Sequence, residues 1–189
     1  MVESLQQIEM DSIAGGFMIR GFFFIALFIT LTQSVMAGSE DIKTIPNKQE
    51  ITDMMLQTSR ISGPEQNSKV TQILKEQANS KTPRSDFMFC TGLAYLGNYK
   101  AQICVGYAYE NGLGIVDDLS LAYAWYGLAL ESRITDEADA KRAEADRDRV
   151  KERLLSAYPH PTEDDLADLV NSQKTRIAQY QEQFKKAPK

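Results

Sequence analysis

Between residues 86 and 130 the chain mixes alanine and glycine with large aromatics, and this mixture constrains the fold more than any other feature. Small residues let helix axes approach closely, while aromatics fill the gaps beside them. The stretch has no strand-like alternation. It also repeats: Phe89 and Trp125 stand 36 residues apart, and the same offset sets Leu93 and Ala94 against Ala129 and Leu130. A period in this range marks stacked helical units, none of which can bury its apolar face alone.

The clearest unit spans residues 101–130. Its first helix carries Ala101, Val105, Ala108 and Tyr109 on one packing face. Gly106 interrupts that helix at a cost of about 1 kcal/mol relative to alanine, which points to a neighbouring backbone passing very near. Gly112 stands where a left-handed residue closes the last turn, and Gly114 gives the loop a second permissive joint. Asp118 is placed to cap the helix that follows. There Ala122, Trp125 and Ala129 share a face with Leu121 or Leu128. Trp125 could serve as a stacking platform for a ligand, but its spacing favours the core.

Ala101, Gln102, Val105, Gly106, Tyr109, Gly112, Gly114, Ile115, Asp118, Ala122, Trp125, Tyr126 and Ala129 form a pattern that resembles the Sel1-like repeat family, relatives of the tetratricopeptide repeats. Residues 86–98 are similar to the second helix of a degenerate half repeat, with Phe89 in the tryptophan place and Gly97 and Asn98 in the turn. Asp86 and Cys90 depart from the family's residue types, and residues 137–142 do not reopen the motif. The resemblance implies an all-α superhelical solenoid of antiparallel helix hairpins. It implies a repeat core of Phe89, Ala101, Val105, Gly106, Tyr109, Gly112, Gly114, Asp118, Ala122, Trp125 and Ala129, and a concave surface offered to another protein or peptide.

The flanks divide into recognisable segments. Residues 38–63 read as a flexible leader with one short helix marked by Ile51, Met54, Met55 and Thr58, ended by Ser62, Gly63 and Pro64. A helical domain is expected over residues 64–189. It opens with a stripe of Val70, Ile73, Leu74 and Gln77 or Ala78, and residues 80–85 form a linker. Residues 135–157 are densely charged around a thin apolar line of Ala143, Val150, Leu154 and Ala157, which suits an end cap. Pro159 and Pro161 stop it. Thr162 and Asp165 make a capping-box-like start to a final helix over residues 162–184, with Leu166, Leu169, Val170, Gln173, Ile177 and Tyr180 at helical spacing.

Residues 21–31 are an unbroken apolar run after Arg20, and Val35 and Ala37 precede Gly38 as small residues precede a signal-peptidase cut. Residues 1–37 therefore read as a signal peptide, with Met18 as an alternative start because residues 1–17 carry only acidic charges. A membrane anchor is the competing reading, but a span needs about 20 apolar residues and Thr32, Gln33 and Ser34 interrupt too early. Export to the periplasm or medium, with membrane contact only during passage, follows. An oxidising compartment invites a disulfide. With a hairpin turn at Gly97 and Asn98, Cys90 and Cys104 each lie about seven residues from it, at similar heights on neighbouring helices. Two buried free thiols are the alternative.

Little in the chain points to catalysis. The net charge is −5, from 21 basic and 26 acidic residues, without the clustered cations that grip a phosphate backbone, so nucleic acid is not expected as a partner. His160, the single histidine, stands apart between two prolines, away from both cysteines. Neither a metal site, a cofactor nor a catalytic residue is expected. The residues between Gly112 and Gly114 lack the preceding strand of a nucleotide loop. The function implied is an exported, non-enzymatic protein-interaction adaptor in a bacterial envelope. Gln102, Ile103, Tyr107 and Glu110 are the residues of their helix turned from the packing face toward a partner. Two alternatives stand beside it: a peptidoglycan- or β-lactam-interacting hydrolase, and a structural component that oligomerises.

Overall fold

The computed structural model describes residues 44–157 and 160–186. The expected export segment, its cut site and the first part of the leader lie outside the described residues. Within them are seven α-helices: α1 (Lys48–Ser59), α2 (Gly63–Glu76), α3 (Pro83–Tyr95), α4 (Tyr99–Asn111), α5 (Leu119–Glu131), α6 (Glu137–Ser156) and α7 (Glu163–Lys186). A 3₁₀ turn over Gln77–Asn79 follows α2, and the described residues hold no strand. The all-α expectation is met.

The caps follow from local sequence. Asn47 accepts a hydrogen bond from the Glu50 amide while the Glu50 side chain accepts from the Asn47 amide, a reciprocal box at the start of α1. Asp118 accepts from the Leu121 amide at 2.9 Å, as its position before α5 anticipates. Thr162 and Asp165 form the expected box on α7, with the Asp165 amide donating to Thr162 Oγ1 at 3.1 Å and the Thr162 amide to Asp165 Oδ2 at 2.8 Å. One boundary differs. α3 starts at Pro83, inside the segment read as a linker, because proline at the first helical position carries a preset φ and no amide to satisfy.

Helices α3, α4, α5 and α6 pack on one another in chain order, while α1 lies on α3 and α2 on α4. The short helix expected within the leader is thus a core element. Ile51 and Met55 are fully buried, each contributing about 1.5–3 kcal/mol by leaving water. The contact is close enough that a Cβ on Gly92 of α3 would meet the Met54 carbonyl oxygen at 2.7 Å. α7 packs chiefly on α5 and reaches α3 and α1, bringing Val170, Ile177, Tyr180 and Phe184 to the core.

Gly112 adopts φ 65° at the end of α4, and Gly114 adopts φ 73° in the loop, both in the left-handed region where a side chain is strained. Gly106 admits a side chain rather than a backbone: a Cβ there would meet the Tyr126 ring at 2.9 Å. Phe89 and Trp125 are both buried, but in different surroundings. Phe89 lies beneath the Lys69 ammonium, 4.0 Å from its ring centre, whereas Trp125 meets Tyr95 edge-on at 5.5 Å. Cys90 on α3 and Cys104 on α4 are joined as a disulfide with their Cα atoms 6.1 Å apart.

Candidate functional site

Three of the four residues expected to face a partner are buried. α4 has α3 and α5 on its flanks, α2 on another side and α6 near its end, so it has almost no free face. Ile103 is part of the core. Gln102 donates to the Ala94 carbonyl at 3.4 Å and accepts from Ser132 Oγ at 3.0 Å, which ties α3 to the end of α5. Glu110 is an internal carboxylate. Tyr107 alone keeps a partly open position.

Glu110 is the centre of a polar cluster drawn from three helices. Arg149 of α6 donates to it through Nε at 2.8 Å and Nη2 at 2.7 Å, a two-pronged contact, and Arg153 Nη1 lies at 3.4 Å. The Tyr126 hydroxyl of α5 donates to Glu110 Oε2 at 2.9 Å. Asp146, one turn before Arg149, receives Arg149 Nη1 at 2.7 Å. Burial pushes the Glu110 carboxyl up, but the hydrogen bonds from Arg149 and Tyr126 and the charges of Arg149 and Arg153 outweigh it, holding the group below its ordinary value. Burial and the adjacent Glu110 charge push the Tyr126 phenol well above its ordinary value. The Glu110 carboxyl stays ionised and the Tyr126 phenol stays protonated, which suits a clamp better than a pair that exchanges protons at neutral pH.

A second constellation lies where α1, α3, α4, α5 and α7 meet. Phe87, Thr91 and Tyr95 of α3, Val105 and Tyr109 of α4, Leu121 and Trp125 of α5, and Gln173 and Arg176 of α7 surround a small cavity closed by Ile45, Pro46 and Ile51. Its aromatic wall is interlocked, with Phe87 and Tyr109 edge-on at 5.5 Å and Tyr95 and Tyr180 4.8 Å apart. Burial pushes the Tyr109 phenol up to about 12. Gln173 Nε2 lies 3.5 Å from the Tyr95 hydroxyl, and Gln181 donates to the Tyr95 carbonyl at 2.9 Å. Above the cavity, Pro46 is buried while Ile45 is 60% exposed, so the chain entering α1 drops one ring into the opening. Arg84 Nη1 donates to the Thr44 carbonyl at 2.7 Å and to the Gly114 carbonyl at 3.1 Å, pinning this segment to the loop between α4 and α5.

The sequence pattern placed Tyr109 and Trp125 in the core but gave no sign of Pro46, Arg84, Tyr95 or Arg176 as neighbours. His160 is exposed, and the described residues hold no group of three or more His, Cys, Asp or Glu placed to bind a metal ion. No family model matches the chain, and no curated protein or solved structure matches it either.

Proposed function

We propose that the chain is an exported helical-repeat adaptor of the Sel1-like kind, a short solenoid that acts by binding a segment of another protein. One observation carries this reading. The helices already hold an irregular stretch of chain, Thr44 to Pro46, in a cleft of aromatic rings, with Arg84 taking a main-chain carbonyl as a receptor takes an extended ligand. The residue before a proline is biased toward extended backbone, which suits Ile45 to this role. Support for the repeat reading comes from the small-residue contacts of α4 with α5, the left-handed Gly112 and Gly114, and the Asp118 cap, all within residues 101–130.

A photoreactive residue placed at Ile45, beside the cleft, and separately at Glu144, on the exposed side of α6, tests the reading in intact cells. A discrete protein adduct from position 45 and none from position 144 is expected. Absence of any adduct at position 45, or turnover of cell wall or a β-lactam by the purified chain that is abolished by one Ser replacement, overturns it.

A further inference from the structure

The cleft contains an uncompensated cation. Arg176 lines it and lies over the Tyr180 ring, 5.9 Å from its centre, and among the described residues no carboxylate comes within 4.0 Å of the guanidinium. Its surroundings are phenols, Gln173 and apolar rings. By contrast Arg149 and Arg153 both reach the buried Glu110 carboxylate, and Arg142 pairs with buried Asp146. A guanidinium in a sheltered aromatic setting favours an anion, and a carboxylate matches its fork best.

The occupant of the cleft says what kind of anion. Pro46 fills the opening, and at once Asn47 caps α1. A ligand lying along the path of Thr44 to Pro46 can enter from the open side but cannot continue, because the first turn of α1 stands in its way. Such a ligand must end where Pro46 sits, and a chain that ends there brings its terminal carboxylate to the cavity that Arg176 lines.

We propose that the cleft is a receptor for the carboxyl terminus of an extended partner peptide, whose last residue replaces Pro46 between the aromatic rings and whose carboxylate pairs with Arg176, with Thr44 to Pro46 as a built-in occupant that must first leave. This deepens the adaptor reading and rests on it. The resident segment is tethered, so it competes at an effective concentration in about the millimolar range and keeps the site shut to weak ligands.

The probes are acetyl-Lys-Thr-Ile-Pro with a free carboxylate and the same peptide as its amide, titrated into the full chain and into Pro46→Gly. The readout is the emission of Trp125, the only tryptophan. The acid peptide is expected to bind Pro46→Gly about tenfold or more tighter than the unaltered chain, once the tethered competitor is gone. On Pro46→Gly it should also exceed the amide by about tenfold, the scale of one charge-assisted hydrogen bond. Adding Arg176→Gln should erase the preference for acid over amide. Equal binding of acid and amide, or no response of Trp125 in Pro46→Gly at millimolar peptide, overturns the proposal. Because the acid and amide are compared on the same Pro46→Gly protein, the result stands even if Arg176→Gln fails to fold. A negative outcome leaves the adaptor reading to the crosslinking result at Ile45.

Discussion

Replacing Glu110 by Gln keeps the side chain's shape and removes its charge, which isolates what the buried cluster does. In the native chain the carboxylate accepts Arg149 at 2.7 and 2.8 Å and Tyr126 at 2.9 Å. A glutamine retains one acceptor and turns an NH₂ group toward donors. The Arg149 side chain is 47% exposed and can return to water, so its share of the loss is discounted. Tyr126 is fully buried and cannot, and a buried hydroxyl left without an acceptor costs about 1–3 kcal/mol. Together these give a destabilisation of about 2–3 kcal/mol, or a fall in Tm of roughly 5–10 °C for a domain of this size. The carboxyl sits below its ordinary value in the folded state, so its contribution is complete above the unfolded-state value of about 4.3 and is lost as pH falls through the lower folded value. Thermal unfolding of both proteins at pH 7 and pH 3 is the assay. The gap should be wide at pH 7 and should narrow at pH 3. A Tm difference under about 1 °C at pH 7, or a gap that widens on acidification, refutes the argument.

Other perturbations read other contacts. Breaking the Cys90–Cys104 bond releases a loop of sequence separation 14 and should cost about 3 kcal/mol, measured by urea unfolding with and without reductant; a titratable free thiol in the native, unreduced protein would count against it. Gly114→Ala forces a side chain onto φ 73° and drives its Cβ to 2.6 Å from the Arg84 amide nitrogen, so a loss above about 2 kcal/mol is expected, against about 1 kcal/mol for Gly112→Ala, whose Cβ meets nothing closer than 3.6 Å. Trp125→Ala should remove about 3–5 kcal/mol, visible as a lowered urea midpoint. In a spectroscopic titration the Tyr109 phenol, pushed up to about 12, should remain protonated at pH 11, where an exposed tyrosine has ionised; replacing Tyr109 by Phe should remove one late-titrating phenol.

The parts legible in the sequence were those set by local chemistry. Asp118, Thr162 and Asp165 announce helix starts because their oxygens satisfy orphan amides wherever a helix begins. Gly112 and Gly114 announce a turn because they relieve a steric conflict inside the residue itself. The Cys90–Cys104 pair was readable because a hairpin between them fixes their heights. Burial on α4 was not. Reading Gln102, Ile103 and Glu110 as outward-facing assumed that a helix has one packed side, whereas α4 is covered on several, and which helices cover it depends on α2 and α6, distant in the chain. Reading residues 135–157 as a charged end cap missed the cluster for the same reason, although Asp146 and Arg153 stand four before and three after Val150, which is fully buried.

The buried cluster also explains how a charge-rich helix finds its place. The apolar line of α6 is thin, with Ala143 and Val150 its fully buried apolar members, and contacts of that kind tolerate a shift along the axis. Glu110, Tyr126 and Arg149 come one from each of α4, α5 and α6, and their bonds are satisfied together in a single register. Sliding α6 by one turn moves Arg149 about 5.4 Å. One direction lets Arg153, four residues further on, take its place, while the other brings up Asp146 and leaves the Glu110 carboxylate buried without its cation. Stranding a buried charge in this way costs about 3–5 kcal/mol, more than the side chains of Ala143 and Val150 gain in any one position. Charge therefore opposes the slide that carries both arginines away from Glu110, while the apolar contacts supply adhesion.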